Sequence, residues 1–351
     1  MACFQIDHVG IRGLAAAVPK ASVANMDLEL LPERDRVALV RTAGIECRRV
    51  APVGMCASDL CLAAAEVLLT DLRWDRSTID VLVFVTQTPD HQIPGTASQL
   101  QRRLGLGNHV LAIDLNQGCA GYVYGLSIAS AMLSAGHLRR ALLLVGDTIT
   151  HTLSPEDKST VPIFSDAGSA SALEFSHEAS PIHFNLQTDG HGYQAICIPE
   201  GGSRRPYSAD GGVLQDQGQG IRRGAQHLAM QGLDVFNFAL AEVAPNVRAL
   251  LDFADCPIER PDAFVFHQAN MLLNESIRRK LGVPSEKVPY SLREFGNTSS
   301  ATIPVTMVHC MSDRLRNQKS SLVLSGFGVG LSWGSALLDV DALICPALIE
   351  C

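Results

Sequence analysis

The sequence predicts an α/β fold built from two similar halves, and three observations carry that prediction. Short runs of Val, Leu, Ile and Phe alternate with longer stretches of helical length, the pattern of strands buried on both faces and joined by helices. Glycines stand just past several of those stretches, where a left-handed residue commonly ends a helix. The plan then recurs about 180 residues later, a period far beyond the ~20 to 50 residues of a solenoid repeat.

The elements follow in order. Residues 81–85 (VLVFV) form the first clear buried strand. A helix over 96–104 (TASQLQRRL), closed by Gly105, leads to a strand over 109–115 (HVLAIDL). Residues 121–135 (GYVYGLSIASAMLSA) carry no charge and read as a helix closed by Gly136, followed by a strand at 141–145 (ALLLV). In the second half AFVF at 263–266 stands where VLVFV stood, and a helix over 272–281, closed by Gly282, follows. VPYSL then leads into a small-residue turn and helix at GNTSSATIPVTMVHCM. SLVLSG at 321–326 matches LLLVGD at 142–147, and the closing strands correspond, WGSALLD at 333–339 with SASALEF at 169–175. The organisation read from this is an N-terminal half over 1–175 and a C-terminal half over 229–351. The interval 176–228, rich in Gly, Ser, Asp, His and Arg, is expected to be a connector of loops and short strands.

Composition removes several classes. The chain has 351 residues, with 28 Lys and Arg against 36 Asp and Glu and a net charge of −8. That balance disfavours a nucleic-acid binder, because phosphate contacts need a cationic surplus. Charged residues make up 18% and apolar residues 47%, which excludes disorder and points to a large interior, a large subunit interface, or both. No apolar run is long enough for a membrane helix, and the N-terminal residues lack signal-peptide form, so a cytoplasmic protein is expected. The ten cysteines contain no CxxC pair and are expected to be mostly small buried thiols rather than disulfides or a metal site.

Three turns carry candidate chemistry. In DLNQGCAGYVYGL, Cys119 lies between Gly118 and the small pair Ala120-Gly121, ahead of an apolar helix. A nucleophile between a strand and a helix has the form of a nucleophile elbow, and the helix N-terminus is expected to lower the thiol pKa. In AFVFHQAN, His267 ends a buried strand; in EFGNTSSATIP, Asn297 precedes a small-residue helix that Pro304 enters in its first turns. Taken alone, each is more often a structural residue. Together, Cys, His and Asn at the C-terminal ends of buried strands converge on one crevice.

These motifs resemble the thiolase superfamily, and most closely its β-ketoacyl-acyl-carrier-protein synthase III family. The resemblance runs through RTAGIECRRV at 41–50, the cysteine turn at 114–121, FSDAGSASAL at 164–173, MQGLDVFNFAL at 230–240, VFHQAN at 265–270, GNTSSATIP at 296–304 and GFGVGLSWGSALL at 326–338. It implies a thiolase-like five-layered αβαβα fold of two pseudo-twofold halves, and a homodimer. It also implies decarboxylative Claisen condensation of a Cys119-bound acyl primer with a malonyl thioester, His267 and Asn297 stabilising the enolate. Backbone N–H groups of Cys119 and Val329 would form an oxyanion hole, with Phe327 beside the sulfur. The substrates implied are acyl-CoA or acyl-carrier protein and malonyl-acyl carrier protein, without a metal or redox cofactor. Gln268 and Asn270 fall in the substrate-binding motif.

The sequence departs from the family pattern at several substrate positions. The tryptophan expected to stack on the coenzyme adenine is Ala38, a coenzyme-contacting arginine is Lys158, and an arginine after HQAN is Leu272. The aromatic that closes the primer pocket across the dimer is Ile93, which suggests a longer or branched primer in a specialised pathway. Arg278, Arg279 and Lys280, with Arg222 and Arg223 nearby, are the candidate docking patch for an acidic carrier. Simple acyl transfer from Cys119 to an alcohol or amine is the alternative within the family. A papain-like protease shares the order Cys, His, Asn, but not the sequence around its cysteine.

Overall fold

The computed structural model describes residues 2–351. Eleven strands matter to the site: β1 (Ala2–Ile6), β2 (Val9–Val18), β3 (Val81–Val85), β4 (Leu111–Leu115), β5 (Arg140–Asp147), β6 (Ala167–Phe175), β7 (Ile182–Thr188), β8 (Ala263–Phe266), β9 (Ser320–Gly328), β10 (Ser332–Val340) and β11 (Ile349–Glu350). The helices are α1 (Glu33–Ala43), α2 (Ala57–Leu72), α3 (Thr96–Arg103), α4 (Gly121–Ser134), α5 (Gly232–Phe253), α6 (Met271–Leu281) and α7 (Thr302–Asn317). Gly105, Gly136 and Gly282 each take positive φ behind α3, α4 and α6, as their positions in the sequence predicted.

The strands form two sheets, ordered β11-β2-β6-β5-β3-β4 and β1-β7-β10-β9-β8. In the first, β3 runs parallel to β4 and β5, and β5 runs antiparallel to β6. The second repeats that logic, with β8 parallel to β9 and β9 antiparallel to β10. The repeat read from sequence is therefore a repeat of topology: β2, β3, β5 and β6 correspond to β7, β8, β9 and β10.

Side-chain alternation along the strands builds five layers. Val81, Val83 and Val85 face a central core shared with α4, α7, Val265 and Leu324, while Leu82 and Phe84 face an outer core with α2 and α3. On the other sheet Phe264 and Phe266 face α5 and α6. α4 lies between the sheets, which is why it tolerates no charge. Its Tyr122 hydroxyl, fully buried, meets Ser171 at 3.0 Å.

The structure corrects the connector. Residues 182–188 form β7, paired with both β1 and β10 inside the second sheet. Its sequence, IHFNLQT, carries polar residues inside a sheet. The polar positions are answered by α5: Asn185 donates to the Asn246 carbonyl at 2.9 Å, and Asn246 donates to Gln187 at 2.8 Å. The chain ends also cross over, since β1 completes the second sheet and β11 the first. Of the cysteines, Cys61, Cys119, Cys256 and Cys345 are buried, whereas Cys310 and Cys351 are exposed, so the expectation of mostly buried thiols is not met. Among the described residues no helix is long and apolar enough to cross a membrane.

Candidate functional site

Cys119 stands in the turn between β4 and α4, 6% exposed. The end of β9 passes against it so closely that a Cβ on Gly328 would lie 2.8 Å from the sulfur, and one on Gly326 would lie 2.8 Å from the Ala120 Cα. The glycines of GFGVG are thus required by close approach of two backbones. The approach also brings the Val329 amide to the sulfur.

His267 follows β8 and is 2% exposed. Its Nδ1 lies 2.7 Å from the Thr302 hydroxyl at the start of α7, so Nε2 is the ring nitrogen left for the cavity. Phe327 crosses its ring edge-on, with centroids 5.3 Å apart. Asn297 is held by backbone bonds to the segment 163–165, donating to the Ile163 carbonyl and accepting from Ser165. Gly296 makes that approach possible: its φ is +56°, and a Cβ there would lie 2.9 Å from the Ile163 oxygen. The Oδ1 of Asn297 accepts from the Ser299 amide at 2.9 Å, which leaves Nδ2 as its donor to the cavity.

The three side chains line one cavity of about 240 Å³, with Phe327, Gly328 and Asn270. Its remaining wall is largely apolar, including Ile163, Phe164, Ile196, Met230, Val235 and Phe236. Asn270 spends Oδ1 on capping α6, accepting from Leu273 at 2.9 Å, so what it offers a substrate is Nδ2–H.

The electrostatics differ from the sequence expectation of an activated thiolate. Burial pushes the Cys119 thiol up to about 12; the Val329 amide favours the thiolate, the Asp147 charge opposes it, and the Cys119 amide and Ser299 favour it again. Burial drives His267 down to about 3. The pair therefore rests as neutral thiol and neutral imidazole, because burial beside largely apolar walls disfavours either charge.

Other candidates fall outside this cavity. Gln268 is fully buried and its amide is consumed internally, donating to Phe266 at 2.7 Å and accepting from Ser291 at 3.2 Å, so the structure turns it away from substrate. Ala38 is exposed on α1, and Leu272 is exposed on α6 next to the cavity end of that helix. Lys158 sits beside Ser159, which lines the cavity, and its Nζ approaches Gly220. Ile93 is 88% exposed on the 88–95 loop. Arg278, Arg279 and Lys280 lie at the far end of α6, about 12 to 15 Å along its axis from Asn270 at about 1.5 Å per residue. They are engaged there: Arg278 with Glu275 at 2.8 Å, Arg279 with Glu275 at 3.7 Å, and Lys280 with the Leu240 carbonyl at 2.7 Å. Arg222 and Arg223 pair with Glu156 and Asp157.

Sequence reasoning missed Ser299, Thr302 and Asp147. Ser299 takes a positive φ of 52°, rare for a side-chain-bearing residue, between Asn297 and Thr302. The available signal was an Asp ending the apolar run LLLVGD, where no exposed surface explains a charge.

Comparison with known proteins agrees with this geometry. The family model described as 3-Oxoacyl-[acyl-carrier-protein (ACP)] synthase III matches residues 113–190, and that for its C-terminal part matches 251–340. The chain is 35% identical over 348 residues to the β-ketoacyl-[acyl-carrier-protein] synthase III of Rhodopirellula baltica, covering 94% of this chain and 97% of that one. A solved 3-oxoacyl-(acyl-carrier protein) synthase from Burkholderia xenovorans LB400 superposes with a TM-score of 0.94 at 37% identity, with 99% of each chain covered. The corresponding synthase III of Pseudomonas aeruginosa PAO1 gives 0.82 at 30% identity, covering 96% of this chain and 99% of that one.

Proposed function

This chain belongs to the β-ketoacyl-acyl-carrier-protein synthase III family of thiolase-like condensing enzymes, and from that premise we propose how its own residues divide the work. Cys119 Sγ attacks the carbonyl of an acyl thioester. The amides of Cys119 and Val329 hold the oxyanion, and the donor thiol leaves with the proton. A malonyl thioester then binds with its carbonyl oxygen between His267 Nε2 and Asn297 Nδ2. Its C–C bond to the carboxylate breaks, CO2 leaves, and the enolate forms against these two donors. The enolate carbon attacks the acyl carbonyl, a C–C bond forms, and the Cys119 sulfur departs and regains a proton. In this role the neutral imidazole carries its hydrogen on Nε2, and Nδ1 accepts from the Thr302 hydroxyl.

The observation that carries this reading is the convergence of Cys119, His267 and Asn297 on one largely apolar cavity. Malonyl-acyl carrier protein and acyl-CoA or acyl-carrier protein are the substrates it takes. A primer longer or more branched than acetyl is supported by the apolar wall and by Ile93, whose exposure leaves it free to meet a second copy. A homodimer is supported by β4, an edge strand with Leu111 43% exposed and one unpaired side. Intact-protein mass spectrometry after incubation with acetyl-, octanoyl- and branched acyl thioesters tests the reading, because the mass increment names the primer. A Cys119→Ala variant that still gains the adduct refutes the nucleophile, and a strict preference for acetyl refutes the longer primer. Release of labelled CO2 from malonyl thioester separates condensation from simple acyl transfer.

A further inference from the structure

We propose that Asp147 is a positioning residue that locks the loop carrying Cys119 to the loop carrying Asn297, so that the acyl-sulfur and the enolate meet in register. This rests on the division of roles given above. Asp147 ends β5 and is fully buried. Its carboxylate gathers two backbone amides and three hydroxyls. Oδ1 accepts from the Gln87 amide at 2.7 Å and from the hydroxyls of Thr86 at 3.1 Å and Thr88 at 3.4 Å; Oδ2 accepts from the Ser300 hydroxyl at 2.6 Å and its amide at 3.2 Å.

Each oxygen leads to a different half of the site. From Oδ1 the chain of contacts runs through Gln87, whose side chain donates to Asn116 at 3.2 Å and packs so tightly on Gly118 that a Cβ there would lie 2.3 Å from Oε1. Gly118 precedes Cys119. From Oδ2 it runs through Ser300 and Ser299 to Asn297 Oδ1, and the Ser299 carbonyl lies 3.1 Å from the hydroxyl of Thr302, the partner of His267. The contact to Ser300 alone spans 153 positions of the chain. A buried carboxylate answered only by neutral donors is costly to desolvate, and apolar residues of similar size would fill the same space. Its charge also works against a thiolate at Cys119. Stability therefore gives no reason for a carboxylate here, whereas holding two reacting groups at a fixed separation does.

The consequence is a specific failure when the clamp is cut. Self-acylation needs only the Cys119 side and decarboxylation only the His267 and Asn297 side, but carbon–carbon bond formation needs both in register. An enolate that misses the acyl carbonyl takes a proton, giving acetyl thioester and CO2. The experiment measures acetyl thioester against β-ketoacyl thioester from the same reaction, with Cys119 acylation followed by intact mass. In Asp147→Asn, Cys119 still acylates and the ratio of uncoupled to condensed product rises about tenfold, the scale expected when reacting groups lose alignment. Ser300→Ala, which removes the shortest contact and keeps the charge, shifts the ratio in the same direction by about threefold, in line with one lost hydrogen bond. If both products fall together and the ratio stays at the wild-type value, Asp147 is merely structural and the proposal is overturned. Should Asp147→Asn not fold, an unchanged ratio in Ser300→Ala overturns it equally. A wild-type protein whose Cys119 is never acylated overturns the proposed function itself, and this inference with it.

Discussion

The Thr302 hydroxyl lies 2.7 Å from His267 Nδ1, and this one contact decides which face of the imidazole does chemistry. Both residues are buried, so the ring has no water with which to exchange partners. Only Nε2 remains for a substrate.

Replacing Thr302 by Val keeps the volume and removes that partner. A buried ring nitrogen left unsatisfied costs about 1–3 kcal/mol, so the variant is expected to unfold at lower denaturant and to lose decarboxylation by about tenfold or more. Turnover of malonyl thioester at the wild-type rate would show that the contact does not orient His267.

The thiol of Cys119 is expected to resist alkylation at neutral pH. Its folded pKa lies at about 12 against an ordinary 9.0, so the thiolate fraction stays small through pH 9 and climbs only above that. Iodoacetamide labelling of Cys119, followed by mass across pH 6 to 11, checks this. A labelling midpoint near pH 7 would mean that the helix terminus and the amides outweigh burial.

His267 makes stability fall in acid. Its folded pKa is about 3 while the unfolded chain takes up this proton near 6.5, so below pH 6.5 the unfolded state binds more protons. The stabilisation is fully present above pH 6.5 and is lost as pH falls toward 3, by about 2 kcal/mol at pH 5. Urea unfolding at pH 7 and pH 5 measures it, and His267→Asn is expected to remove that share of the difference. A wild-type and variant with identical pH slopes would contradict the assignment.

Gly328→Ala places a methyl group 2.8 Å from the Cys119 sulfur, on a residue whose φ is +156°. The sulfur or the strand must move, and a displacement near 1 Å costs about a hundredfold in rate. Acylation of Cys119 is expected to drop by that order while the far-ultraviolet circular dichroism stays that of the wild type. Undiminished acylation would show that β9 yields without cost.

Much of the scaffold was legible because buried strands must be apolar on both faces. VLVFV and AFVF coincide with β3 and β8, and the glycines behind α3, α4 and α6 marked their ends. Cys119 and His267 were legible for a related reason, since each follows the end of a strand, whereas Asn297 follows the short helix Leu292–Phe295 rather than the strand end expected and stood out only within a small-residue run. The polar strand β7 was not, because its partner Asn246 lies on a helix 61 residues away and nothing local shows that Asn185 will be satisfied. Gln268 shows the same limit from the other side: it belongs to the HQAN motif, yet its amide is used up by Phe266 and Ser291.

By itself the sequence determined the two-layered repeat of buried strands, the helices between them, and the three residue types available for chemistry, all of which follow from periodicity and local turns. Only the tertiary structure decided the protonation state of Cys119 and His267, the ring nitrogen that faces the cavity, and the carboxylate that ties Thr86 and Gln87 to Ser300. Those properties depend on what surrounds a group once water is gone. Desolvation and hydrogen bonding act between residues that the fold brings together and that the chain keeps far apart.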